Sequence, residues 1–156
     1  MELQRHQYWM NQALIMGQKG GNQGEIPVGV VIVDDNNNLM ASAHNCKETD
    51  QDCTAHAEII AIRQACKNLG SWRLNHCTLY VTLEPCMMCA GAIINSRLKT
   101  LVYGVDDFKT GAIRTVMNLP DSFASNHHLQ VFAGIQESPC RELLQTWFKN
   151  NLQRKS

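Results

Sequence analysis

Five short stretches rich in apolar and β-branched residues recur along this chain, set apart by longer stretches of helical period. That alternation restricts the fold more than any other feature. Val28 to Asp34, Leu39 to Ala43, Cys77 to Leu83, Lys99 to Tyr103 and Leu129 to Ala133 read as strands. The first two are joined by the turn Asp35-Asn36-Asn37-Asn38. Residues 2 to 18 read as an amphipathic helix, with Leu3, Met10, Leu14 and Gly17 recurring beside Trp9, Ala13 and Met16. Thr54 is placed to cap a second helix from Ala55 to about Asn68, with Gly70 past its end. Cys86 to about Ser96 reads as a third helix. A fourth opens with Ser138 as cap and Pro139 at its first position, and its stripe is Cys140, Leu143, Leu144, Trp147 and Phe148. Gly20, Gly21 and Gly24 read as a loop; no Gly-Lys-Ser/Thr follows, so it is not a phosphate-binding loop. Residues 44 to 53 are polar, and 106 to 117 read as loop or short helix. Strands alternating with helices specify a layered α/β domain, and 156 residues give room for one, spanning 1–156.

Composition excludes several classes. Fourteen basic residues balance fourteen acidic ones, so bulk charge excludes a strongly basic nucleic-acid-coating protein while leaving room for a local patch. The longest apolar run, Ile26 to Val33, is broken by Pro27 and Gly29 and is far short of the roughly 18 residues a membrane helix needs. No apolar stretch follows the charged N-terminus, so a soluble cytoplasmic protein without membrane contact is expected. Seven cysteines, an odd number, make a disulfide framework a poor reading. Cys66 and Cys77 read as packing residues, Met87, Met88 and Met117 as core fillers, and His127-His128 as surface.

One group of residues calls for chemistry. His56-Ala57-Glu58 opens one helix, and Pro85-Cys86-Met87-Met88-Cys89 opens another after a strand. Zinc takes imidazole and thiolate ligands, and a C-x-x-C pair at a helix start shares one face, where free N–H groups favour thiolate. His56, Cys86 and Cys89 would make three ligands and leave a fourth position open, the pattern of a catalytic zinc site. A water held there has its pKa lowered from about 15.7 to about 7. Glu58 is two residues from His56, roughly 200° around an ideal helix, so it reaches such a water only if the helix start lets it project past the end. It would then do general acid–base work. Two other readings stand beside this one. Strand–C-x-x-C–helix is also the thioredoxin-like redox arrangement, which leaves His56 and Glu58 without a role. Cys53-x-x-His56 with Cys86-x-x-Cys89 would make a closed structural zinc site.

The H-x-E…P-C-x-x-C pattern resembles that of the zinc deaminases of bases. Thr54-Ala-His-Ala-Glu58, Thr82-Leu-Glu-Pro-Cys86-Met-Met-Cys89-Ala-Gly-Ala, Tyr103-Gly104 and Lys109-Thr110-Gly111 resemble the bacterial tRNA-specific adenosine deaminases over nearly the whole chain. Guanine and cytosine deaminases share the metal motifs, so a deaminase of a free base is the alternative; the Asn45 loop and Lys109-Thr110-Gly111 favour adenosine. The resemblance implies a cytidine deaminase-like, three-layer α/β/α fold around a mixed five-stranded sheet. It implies a homodimer with one Zn2+ per subunit, held by His56, Cys86 and Cys89, with Glu58 moving protons. Asn45, Ala57, Asp107 and Lys109 match substrate-binding positions. The implied reaction is hydrolysis of adenosine to inosine at the first anticodon position, on a tRNA anticodon stem-loop that presents an unstacked base. Local basic excess marks 97 to 114 (four basic, two acidic) and 141 to 155 (four basic, one acidic) as the expected RNA-facing surface.

Overall fold

The computed structural model describes residues 1–152, so Arg154 and Lys155 of the basic C-terminal stretch lie outside the described residues. A five-stranded sheet has the order β2-β1-β3-β4-β5. β1 (Gly29–Asp34) and β2 (Leu39–His44) form the expected hairpin, and β1 also pairs antiparallel with β3 (Cys77–Leu83). β3, β4 (Thr100–Val105) and β5 (Gln130–Ala133) are parallel. The sheet is therefore mixed.

Side chains alternate across the strands and divide the interior in two. Val30 and Ile32 of β1, Leu79 and Val81 of β3, and Leu101 and Tyr103 of β4 share a core with Ala57, Ala61 and Ala65 of α3 (Ala57–Leu69) and Ala90 and Ile93 of α4 (Met87–Asn95). Val31 and Val33, Tyr80, and Val102 and Val105 face the other way. They pack with Trp9, Met10 and Ala13 of α1 (Glu2–Asn22) and Cys140 of α5 (Glu137–Leu152). Both faces of the parallel strands are covered, which is why β3 and β4 read as near-continuous apolar runs.

Several boundaries differ from the sequence reading. α1 runs on through Gly20 and Gly21, which were expected in a loop. A Cβ on Gly20 would lie 2.8 Å from His44 Cβ, so close packing of α1 on β2 outweighs glycine's low helix propensity. α3 begins at Ala57, capped by His56 rather than Thr54. The Thr54 hydroxyl instead donates to Asp52 Oδ1 at 2.7 Å, closing a loop before the helix. Gly70 ends α3 at φ 68°, as its position implies. Ser138 lies inside α5 rather than capping it, because Gln136 at φ 54° turns the chain and its carbonyl accepts the Cys140 N–H at 3.1 Å. A one-turn helix, α2 (Lys47–Asp50), sits in the segment read only as polar. Residues 106 to 117 hold no regular helix.

His6, on α1, is buried beneath β3. Its Nδ1 is 2.7 Å from Tyr80 Oη, it stacks obliquely on Phe132, and its Nε2 has no hydrogen-bond partner among the described residues. Burial lowers its pKa, Arg5 adds to that, and Glu2 opposes it. A lowered histidine pKa favours the neutral ring in the folded state. That contribution is complete above the unfolded value of 6.5 and is lost as pH falls below it. Thermal unfolding of the native chain is expected to steepen its loss of stability below that pH, and His6→Gln to flatten the slope. Parallel melting curves against pH for the two proteins would refute this.

Candidate metal centre and pocket

Both halves of the metal motif sit at helix starts on one side of the sheet. Cys86 is the N-cap of α4, with φ −75° and ψ 176°, and Cys89 lies in the first turn. His56 is the N-cap of α3, with φ −75° and ψ 150°. Because His56 is extended rather than helical, the 200° separation of an ideal helix does not apply to it and Glu58. Both side chains reach one pocket.

His56 Nδ1 is 3.7 Å from Cys86 Sγ and 3.5 Å from Cys89 Sγ. A tetrahedral ion with nitrogen at about 2.0 Å and sulfur at about 2.3 Å needs those atoms about 3.5 Å apart, so the donor set fits zinc. All three donor atoms lie within 4.8 Å of one another, and among the described residues no other group of His, Cys, Asp or Glu does so. Neither sulfur is committed to a disulfide. The Cys86 thiol is pushed down to about 4 by a hydrogen bond from the Cys89 thiol, with the His56 ring and the Cys89 amide adding to it against burial. The Cys89 thiol is pushed up, as the donor of that bond and by burial. A ready thiolate beside an imidazole is what a soft divalent ion selects.

Cys53 is exposed and takes no part in this group. Cys53→Ala is therefore expected to leave metal content unchanged, and stability within about 0.5 kcal/mol. Loss of metal from that variant, measured by atomic absorption, would restore the closed-site reading. The redox reading fares no better, since the fold sets a histidine against both sulfurs.

Glu58 is buried, and burial raises its pKa, with the Cys86 sulfur adding to the shift. It lines a pocket of about 770 Å³ with His56, Cys86, Asn45 and Asp107. Asn45 holds the pocket loop at both ends of its amide: Nδ2 donates to Ile26 O at 3.1 Å, and Oδ1 accepts the Ala57 N–H at 2.9 Å. Ala57 itself is buried and offers no side chain to the pocket. Asp107 folds its own loop, accepting the Lys109 and Thr110 amides at 2.9 and 3.2 Å. Lys109 is exposed and lies outside the pocket lining.

Two carboxylates to which the residue reading gave no role frame the site. Glu84, at the end of β3, accepts the amides of Asp107, Ile113, Arg114 and Thr115 at 3.0 to 3.1 Å, together with the Thr115 hydroxyl. Those donors outweigh burial and hold its pKa below the ordinary value. A Cβ on Gly111 would lie 2.5 Å from the Glu84 carboxyl carbon, so the loop can close on the carboxylate only with glycine there. Glu25 likewise accepts the Glu48 and Thr49 amides at 3.0 and 2.7 Å, capping α2 at the pocket edge. The one sequence signal for either is an acid set in an apolar context, Gly-Glu-Ile-Pro and Leu-Glu-Pro.

The α5 stripe divides. Cys140 is buried in the core, whereas Trp147, Phe148 and Leu152 line the pocket. The 97 to 114 region divides as well: Arg97 and Lys99 precede β4, while Asp107 and Lys109 follow it. Met87 and Met117 are 71% and 44% exposed rather than core; at Met87 this is because the buried face of α4 belongs to Cys89, Ala90, Ile93 and Ile94. His128 is exposed as expected, but His127 is half-buried, its Nε2 2.6 Å from Leu98 O. Among the described residues, no helix is long and apolar enough to cross a membrane.

Comparison with known proteins agrees with this geometry. The family model for MafB19-like deaminases matches residues 4–150. A tRNA-specific adenosine deaminase of Haemophilus influenzae is 47% identical over 94% of this chain and 84% of its own. One from Bacillus subtilis is 44% identical over 94% of this chain and 91% of its own. A solved structure from a study of A-to-I editing by tRNA deaminases at the wobble position superposes with a TM-score of 0.85. It is 40% identical and covers 88% of this chain and 99% of its own. The expected cytidine deaminase-like fold, with its mixed five-stranded sheet between helices, is the one observed.

Proposed function

The chain belongs to the tRNA-specific adenosine deaminases, and from that membership we propose that it hydrolyses adenosine to inosine at the first anticodon position of tRNA, releasing ammonia. The observation that carries this reading is Glu58 buried in the same pocket as a histidine and two cysteines spaced to hold zinc.

His56, Cys86 and Cys89 would hold one zinc ion per chain. When bound, zinc supplies a Lewis acid that lowers the pKa of a water toward about 7. The chain's own residues do the rest. Glu58 carries a proton to the ring nitrogen N1 and then to the amine leaving C6. Adenosine and water become inosine and ammonia, so an amine donor on the pairing edge becomes a carbonyl acceptor. Asn45 holds the α3 start in place and lines the pocket, where the second hydrogen of its amide would be free to meet the base. Trp147 and Phe148 offer aromatic faces to an unstacked base or its neighbour. Asp107, which lines the pocket and accepts the Lys109 and Thr110 amides, would border the ribose-phosphate.

The proposed partner is a tRNA anticodon stem-loop, and the proposed compartment is the cytoplasm, where that substrate is found. A homodimer is supported by α4. Met87 is exposed and Met88, Gly91 and Ala92 are half-buried on its outer side, and nothing lies within 4 Å of a Cβ on Gly91. The test is to offer the protein an anticodon stem-loop with adenosine at the first position, and separately free guanine and free cytosine. Inosine from the stem-loop alone supports the assignment; ammonia from either free base, with none from the stem-loop, would replace it with a free-base deaminase.

A further inference from the structure

A second cleft lies at the other end of the sheet. Arg73, Arg97, Lys99, His127 and His128 line it with Asn75 and Gln130, enclosing about 540 Å³, and no carboxylate lines it. It opens before the first residues of β3, β4 and β5, while the metal group lies past the last residue of β3. At about 3.3 Å per residue, the seven-residue β3 sets the two sites roughly 20 Å apart. Nothing in the proposed reaction uses this cleft.

Its charges are not balanced from within. Lys99 Nζ is 3.2 Å from Asp35 Oδ1, so the ammonium has a partner. Arg73 and Arg97 make no ion pair among the described residues. Arg97 sits at φ 61°, a left-handed position that glycine or asparagine fills with less strain. Its Nη1 donates to Ile94 O at 3.0 Å, which fixes the side chain while leaving other donors of the fork unused. Arg73 lies over the exposed Trp72 ring, its Cζ 4.6 Å from the ring centroid, and that stacking orients its guanidinium. Facing a carbonyl oxygen, His127 Nε2 must be the donor. Two unpaired forks beside amide donors, in a concave site on a chain of zero net charge, suit a planar or tetrahedral oxyanion. Guanidinium forks match phosphate oxygens two at a time.

We propose that this cleft binds a phosphate group. The group comes either from an RNA phosphodiester beyond the anticodon loop or from a free phosphate. The RNA source rests on the functional reading above; the free source does not. In the native protein, inorganic phosphate is expected to shift the side-chain Nε–H resonances of Arg73 and Arg97 saturably, with the Arg97 shift lost in Arg73→Gln and weakened but still saturable in Arg73→Lys, which keeps the charge without the fork. If RNA is the source, the slope of log affinity against log salt for full-length tRNA falls by about 0.9 in Arg73→Gln, as for one lost phosphate contact. Affinity for the isolated anticodon stem-loop stays the same. A saturable phosphate shift with an unchanged tRNA slope assigns the cleft to free phosphate. Absence of both effects, in a variant whose melting temperature matches the native protein, overturns the proposal. Should the native protein fail to deaminate the stem-loop, the functional reading falls, and the inorganic phosphate titration still decides the cleft.

Discussion

Glu58→Ala is expected to lower inosine formation by about 10²–10⁴-fold or more while leaving zinc at one per chain. The two halves of that result separate the role of this carboxylate from the roles of its neighbours. The candidate metal donors are His56, Cys86 and Cys89, and Glu58 lies outside that group. Removing it takes away a proton carrier and leaves the donor set whole. It also removes a carboxyl whose burial is unfavourable to its charge, so the variant should be at least as stable as the native chain. Glu58→Gln keeps the shape without the proton transfer and should fail equally. Single-turnover assays on a stem-loop, paired with metal analysis, read both quantities. Zinc lost along with activity would make Glu58 a ligand; activity kept would leave the proton transfer to some other group.

The second large effect is expected at Cys86. Cys86→Ser should lose zinc and activity together. A serine hydroxyl stays protonated at neutral pH, where the Cys86 thiol, pushed down to about 4, is already ionised. Metal bound only to the folded state stabilises it by mass action, so a chelator should lower the melting temperature of the native protein and leave that of Cys86→Ser unmoved. A Cys86→Ser protein with a full zinc complement would show that the ligand set is wrong.

Much of this was legible in the residues because it rests on local spacing. The five strands followed from short apolar and β-branched runs, and the helix start at Cys86 followed from a motif of consecutive positions. What was not legible depends on contacts far apart in the chain. Gly20 and Gly21 look like a loop until α1 packs against His44. Thr54 looks like a cap until Asp52 takes its hydroxyl. The first turn of α5 is set by Gln136, whose backbone turn carries no residue-type signal, whereas Ser138 before Pro139 has the residue type of a cap. Glu84 and Glu25 are single acids whose partners lie between 23 and 31 residues away. The α5 stripe was read as one face, yet it serves two ends: Cys140 in the core, and Trp147 and Phe148 at the pocket. Periodicity shows that a face is apolar without showing what covers it.

Glu84 stands two positions before Cys86 and gathers five donors from the segment that carries Asp107 and Thr110. The turn that leads into Cys86 and the loop that borders the pocket mouth are thus pinned to one carboxylate. Neither can loosen alone. On warming, the grip on the ion and the shape of the entrance should fail at a single temperature, as parts of one cooperative unit, and exchange of the Ile113 and Arg114 amides with solvent should begin at that same point.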